Sequence, residues 1–470
     1  VTVKPATILQ WTQQLVENSP DFPDLETCLD AIPDLDALDD LPAGTRILVR
    51  GDTDVVVTDA GEIEDDVRLL SLVETLKFGI ERGWVQIVYG HRGRDPELSL
   101  RAVAKHTEQL LKNSGANVPQ TTFISDWMND DTGEILPAAG ETVRDLPDGS
   151  LVFLENTRKY KLEQALWKVK PADLPALSEQ LTNYANGMRE QLASVHVNEG
   201  FASSNRDLSS TIVPISMDRV ALGRYIDSEL RDYVTQTRKA DLVIFSGLKI
   251  NKLDDLEQIL NRGKVRKVIA AGSLAIGLKK AAADLAGEEF DVGIAKNPEE
   301  KTYIPPERLE QARRMLENGQ TQGVEFILPV DFILGDGSES DTIPTDGAQF
   351  DIGSKSIALQ AEAIGDFIAF HNQKVAKSEG PAVAFHNGVF GKFEEERFSN
   401  GTRQFINQLK RMHEAGVEVY VGGGEGGAAL HRYGDESWVT HCFTAGGTIL
   451  KALGSEPIPY LKALYMKSQS

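Results

Sequence analysis

RILVRGDTD, residues 46–54, sets a short apolar run between two arginines, stops it with a glycine and follows it with two carboxylates. A run this short, broken by glycine, reads as a buried strand whose carboxyl end opens into a polar loop. Comparable runs predict strands at Arg46–Arg50, Val85–Tyr89, Leu151–Leu154, Ser194–Asn198, Leu242–Phe245, Lys267–Ala270, Glu325–Leu328, Ala382–Phe385 and Glu418–Val421. Longer helical patterns separate them, and strand–helix alternation of this kind predicts parallel sheets with helices on both faces. In open α/β sheets ligands bind just beyond the carboxyl ends of strands, so the residues after each run are the candidate site residues.

The 470 residues exceed one ordinary domain. The expected fold class is α/β, two Rossmann-like lobes with parallel sheets in three αβα layers, joined by a helical hinge. Residues 1–45 lie before the repeating pattern and read as an N-terminal appendage, with the acidic stretch Asp34–Asp40 as a solvated face. The N-terminal lobe is expected over residues 46–216 and the C-terminal lobe over 217–454. The boundary is set at the proline-containing segment Ser209–Met217, and a long amphipathic helix is expected from Asp218 to Thr237.

A formal charge of −22 argues against a nucleic-acid partner, which would require a basic surface. Any phosphate site here has to be a local basic island. The two cysteines, Cys28 and Cys442, have no metal-ligand or CxxC spacing and suit a reducing compartment. No apolar run approaches the ~18 residues of a membrane span, and no export signal is read at the start. The expectation is a cytoplasmic protein with neither membrane nor nucleic-acid partners.

Several strand ends of the first half carry groups suited to a small anion: Asp52 and Asp54 after RILVR, His91 and Arg94 in GHRGR, Arg158 in LENTR, and Arg206 in VNEGFASSNR. Arg68 lies in the helical stretch after the first strand. One arginine alone is ordinarily a surface residue; four with a histidine, in an acidic chain, form the island that a phosphorylated acid requires. In the second half, Gly247 and Lys249 in FSGLK, Gly422, Gly423 and Gly424 with Glu425 in VGGGEGG, and Thr444 in TAGG place small residues after strands. Their free amides suit phosphate oxygens, with a carboxylate at hand for Mg²⁺.

From about Gly44 onward the sequence resembles the phosphoglycerate kinase family. The carriers are Arg50-Gly51-Asp52-Thr53-Asp54, Gly90-His91-Arg92-Gly93-Arg94, Leu154-Glu155-Asn156-Thr157-Arg158, Val197-Asn198-Glu199-Gly200-Phe201 with Asn205-Arg206, and Asn387-Gly388-Val389-Phe390-Gly391-Lys392-Phe393-Glu394. The resemblance implies reversible phosphoryl transfer between ATP and the carboxylate of 3-phosphoglycerate, with Mg²⁺ as cofactor and a monomeric enzyme. It assigns His91, Arg94, Arg158 and Arg206 to the substrate phosphate and Asp52 to the glycerate hydroxyl. Arg68 and Lys249 become the catalytic cations. Lys252, Gly272, Asn387, Glu394 and Thr444 join the nucleotide site, Glu425 takes the metal, and residues 455–470 pack back on the first lobe.

The chain departs from the family pattern at several positions. Asp54 replaces an asparagine and adds negative charge beside an anionic substrate unless an arginine pairs with it. Lys249 and Lys252 stand three apart where the family's lysines stand four apart. Glu425 replaces an aspartate, Ala270-Ala271-Gly272 replaces a triple glycine, and Ala445 and Asn205 replace a glycine and a histidine. These departures keep two alternatives open: a paralogue phosphorylating another small carboxylic acid, and a catalytically impaired nucleotide-binding protein.

Overall fold

The computed structural model describes residues 2–17, 22–247, 250–454 and 457–470. The chain divides into two compact units, Val1–Asp232 with Glu456–Ser470, and Tyr233–Ser455. Each is built on a six-stranded sheet that is parallel throughout.

The first unit contains β1 (Arg46–Arg50), β2 (Val85–Tyr89), β3 (Thr121–Ile124), β4 (Leu151–Leu154), β5 (Val195–Asn198) and β6 (Arg219–Leu222), in spatial order β3-β4-β2-β1-β5-β6. Ile47, Leu48 and Val49 are buried to the last few atoms. Helices cover both faces of a parallel sheet, so its central strands are apolar on both sides rather than alternating. Register fixes the functional edge. Arg50 pairs with Tyr89 on one side and with Asn198 on the other, so β1, β2 and β5 end level and their following loops rise side by side.

The second unit contains β7 (Leu242–Gly247), β8 (Lys267–Ala271), β9 (Glu325–Ile327), β10 (Phe332–Leu334), β11 (Glu339–Ser340), β12 (Gln349–Ile352), β13 (Val383–Asn387), β14 (Glu418–Gly422) and β15 (His441–Cys442). Its main sheet runs β15-β14-β13-β7-β8-β9, and β11-β10-β12 form a small antiparallel sheet. Its core gathers Leu242, Ile244, Ala384, Val419 and Val421 from the strands with Phe367, Phe405 and Leu409 from the covering helices.

Three expectations about organisation are corrected. The division falls at Asp232/Tyr233, not near Met217; residues 208–216 form two short helices whose side chains are buried in the first unit. Asp218–Thr237 is not one helix, because Arg219–Leu222 is drawn out as β6 beside β5 before the helical turns from Arg224 begin. Residues 1–45 are no appendage. The helix Pro5–Val16 buries Ile8, Trp11 and Leu15 against the helix Leu174–Gly187, and the Trp11 indole donates to the Thr211 carbonyl at 2.8 Å. The acidic stretch is exposed at its carboxylates, where Asp39, Asp36 and Asp40 pair with Arg82, Arg224 and Arg219, while Leu35 and Leu38 are buried. The terminal helix Pro459–Ser468 packs against Leu25–Ala31 and the two short helices, all within the first unit.

Candidate active site

In the first unit the site is built upward from Arg50, the last residue of β1, which is fully buried. Its guanidinium donates to Ser209 Oγ at 2.8 Å, to Ser203 Oγ at 2.7 Å and to the Gly51 carbonyl, and its Nη2 lies 3.0 Å from His91 Nδ1. Arginine offers only donors, so Nδ1 must accept and the His91 proton sits on Nε2. Burial and the neighbouring guanidinium of Arg50 both hold the His91 pKa below its ordinary value, in agreement with that neutral tautomer.

Around this base stand the predicted side chains. Asp54 is 3.4 Å from Arg68 Nη1 and 3.7 Å from His91 Nε2, and it accepts from the Gly93 amide at 2.7 Å. Burial raises its pKa, but His91, the amide and Arg68 together pull it below the usual carboxylate range. The replacement of asparagine by Asp54 therefore comes with its own counter-cation. Arg68 also donates to the Asp54 carbonyl at 2.8 Å and lies 4.0 Å from Asp52 Oδ1. That Asp52 oxygen is buried and has no hydrogen-bond donor among the described residues, whereas Oδ2 accepts from the Ala202 amide at 3.2 Å. Arg158 donates to the Gly93 carbonyl at 2.7 Å with its guanidinium over the Trp167 ring, and its buried Nε has no described acceptor. Arg206 is half-buried on the loop after β5, donating to the Leu166 carbonyl at 3.4 Å. Arg94 is exposed beside Gly93. Direct contacts thus unite Asp54 with Arg68 and His91 and hold Arg158 against Gly93 of the same loop.

The second unit offers a different kind of site. A cavity of about 720 Å³ is lined by Gly247, Gly272, Glu394 and Glu425 from the predicted set, with apolar walls including Ile276, Ile343 and Phe350. Glycine is required at its strand ends. Gly272 has φ of 68° and its missing Cβ would sit 2.8 Å from the Gly247 carbonyl; Gly388 has φ of 101° and a Cβ there would collide with the Ser246 carbonyl. Asn387, at the end of β13, bonds outward in both directions. Its amide donates to the Gly422 carbonyl at 2.9 Å, and its Oδ1 accepts from Lys252 Nζ at 3.0 Å. Lys252 also donates to the Ser246 carbonyl at 2.9 Å, so its ammonium ties β7 to β13, and burial lowers its pKa. Gly423 (φ 95°) precedes the helix Gly424–Tyr433, with Glu425 exposed in its first turn. Thr444 is half-buried just ahead of the helix Gly446–Leu453. Lys249 lies outside the described residues.

The sequence matches the family model for phosphoglycerate kinase over residues 38–456. The chain belongs to the phosphoglycerate kinase family. It is 27% identical over 445 residues to the phosphoglycerate kinase of Thermosipho africanus, covering 91% of this chain and 96% of that one. It is 29% identical over 435 residues to that of Clostridium beijerinckii, covering 90% and 96%. Among solved structures, phosphoglycerate kinase from Pyrococcus horikoshii aligns with a TM-score of 0.69 at 20% identity, covering 93% of this chain and 99% of that one. That from Coxiella burnetii aligns at 0.66 and 22%, covering 92% and 99%. Phosphoglycerate kinases are phosphotransferases, and the two-sheet α/β layout is shared with these structures.

No group of three or more His, Cys, Asp or Glu side chains able to hold a metal occurs among the described residues. Mg²⁺ in nucleotide sites needs no such cage, since phosphate oxygens and water supply most ligands and one or two carboxylates suffice. Glu425, exposed on the cavity wall, fits that requirement.

Sequence reasoning did not single out Arg50, Glu163 or Asp207 as site residues. Arg50 ends an apolar run, and a charge at the buried end of a parallel strand was the available signal. Glu163 and Asp207 gave none, because the partners that bury them lie tens of residues away.

Proposed function

We propose that this chain catalyses reversible phosphoryl transfer between ATP and the carboxylate of 3-phosphoglycerate. The observation that carries the reading is the level ending of β1, β2, β4 and β5, which puts His91, Arg158, Arg206 and the donor-free oxygen of Asp52 on one edge of one sheet. His91, Arg94, Arg158 and Arg206 would hold the substrate phosphate, and Asp52 would take the glycerate hydroxyl on its open oxygen. In the second unit the cavity would take the base beside Gly272, Glu394 the ribose, and the amides of Gly247 and of Gly422 to Gly424 the phosphates, with Asn387, Lys252 and Thr444 around them. Glu425 would hold Mg²⁺, which when bound neutralises charge on the nucleotide phosphates.

A carboxylate acceptor is ionised at neutral pH, so transfer needs neither a general base nor a covalent intermediate. It needs cations placed at the charge that spreads over the moving phosphoryl group, and exclusion of water. Arg68 and Lys249 are assigned that work. Arg68 is held in place beside the site by Asp54. The same reading takes the enzyme as monomeric and cytosolic. No helix among the described residues is long and apolar enough to cross a membrane. A coupled assay with 3-phosphoglycerate, ATP and Mg²⁺ is expected to give turnover. Nucleotide binding with no turnover on this acid would refute the reading and favour the paralogue or the impaired protein.

A further inference from the structure

Beneath the arginine pocket lies a buried cluster that the reaction does not consume. Glu163, in the turn Lys161–Gln164, is 3% exposed and accepts from Ser209 Oγ at 2.5 Å and from the Ser209 amide at 3.1 Å. Ser209 Oγ in turn accepts from Arg50 Nε, so the hydroxyl relays between the carboxyl and the guanidinium. Asp207, next to Arg206, lies 3.9 Å from Arg50 Nη2 and accepts from the Trp167 indole at 2.8 Å, and its other oxygen has no hydrogen-bond donor among the described residues. One guanidinium therefore faces two buried carboxyls. The next cation, Arg158, faces both carboxyls and is assigned to the substrate phosphate, so a second negative charge there is compensated only at the expense of that site.

We propose that Glu163 is a positioning residue for the acid substrate: acting through Ser209 and Arg50, it keeps the floor of the phosphate pocket neutral while it holds a proton, and loosens the grip on the phosphate when it loses it. This rests on the assignment of the arginine set to 3-phosphoglycerate. The path is short. Arg50 fixes His91 Nδ1, and Arg158, assigned to the phosphate, also faces Glu163, so charge on Glu163 competes with the incoming phosphate for Arg158. The groups that face Glu163 from the surrounding elements are Arg50 on β1, Tyr89 on β2, Arg158 after β4, Tyr184 on the helix Leu174–Gly187 and Asp207; His91 and His196 face Arg50 behind them. Burial, then the charge of Asp207, raises the Glu163 pKa to about 7 against the opposing pull of Arg50 and Ser209. His196, pushed down to about 3 by burial and Arg50, is neutral and does not titrate in the same range.

The sign follows. Above about pH 7 Glu163 is charged, so affinity for the phosphorylated acid falls as pH rises. A native pKa above the unfolded one also means that the group's contribution to stability is full below about 4.5 and is lost as pH rises through about 7. Glu163→Gln, which has no charge to bury, is therefore expected to fold at neutral and alkaline pH. The test is calorimetric titration of 3-phosphoglycerate into the wild type and Glu163→Gln from pH 7 to 8.5, where a phosphate monoester with second pKa of about 6 is already ionised. ADP binding serves as the control. The wild type should weaken for 3-phosphoglycerate by at least threefold across this range while Glu163→Gln stays flat, with ADP unchanged in both. Asp207→Asn should move the wild-type transition to lower pH. Parallel profiles for wild type and Glu163→Gln, or an unmoved transition in Asp207→Asn, would overturn the inference while leaving the substrate assignment standing. Absence of 3-phosphoglycerate binding at every pH would overturn both.

Discussion

The two candidate sites use the same position in the same architecture, the carboxyl edge of a parallel sheet, yet they are built from opposite materials. The first is made of charge. Arg50 is wholly buried beneath it, Asp54 and Arg68 pair within it, and a carboxylate oxygen of Asp52 is left open. The second is made of shape: left-handed glycines stand at 272, 388 and 423, and the cavity that Gly272 lines has largely apolar walls. Fixed charges hold a small multiply charged acid that has little surface to bury. An apolar slot with free amides at its mouth suits a nucleotide, whose base contributes area and whose phosphates meet backbone. The comparison teaches that a substitution should damage one site through electrostatics and the other through packing.

The largest expected effect falls where the difference is sharpest. Arg68→Ala removes a cation assigned to the transferring phosphoryl group, and steady-state kinetics should show kcat lower by about 10²–10³-fold or more. The nucleotide KM should change little; equal losses in turnover and nucleotide affinity would break the division of labour. Gly388→Ala comes next and acts by sterics alone. The added methyl meets the Ser246 carbonyl at φ of 101°, so strain of about 1–3 kcal/mol is expected, seen as a lower urea midpoint and weaker ADP binding. Its effect on 3-phosphoglycerate affinity should be small, and a large one would blur the contrast drawn between the sites.

Much of the main sheets was legible because buried parallel strands are continuous apolar runs that stop at glycine or a short polar residue. RILVR, VQIVY and LVFL are found at the residues expected. The strands that were missed lacked that mark. Thr121–Ile124 is an edge strand, half-exposed throughout and mostly threonine in its first half, while Arg219–Leu222 is short and embedded in a sequence with helical spacing. The small antiparallel sheet is set by register between residues up to about twenty apart, which no local pattern displays. In the site, single side chains at strand ends were readable, but their pairings were not. Asp54 as a compensated charge, Lys252 as a tie between β7 and β13, and Glu163 beneath Arg50 all depend on partners brought together by topology.

The most direct test of the two-site account is equilibrium titration of Arg158→Ala with each ligand separately. Arg158 belongs to the first unit's pocket, where it meets the Gly93 carbonyl and the Trp167 ring. The account predicts that affinity for 3-phosphoglycerate falls at least tenfold, in line with losing one charge-assisted contact of about 1.5–3 kcal/mol, with ADP affinity unchanged. Loss of ADP binding to the same degree, or retention of full 3-phosphoglycerate affinity, would contradict it.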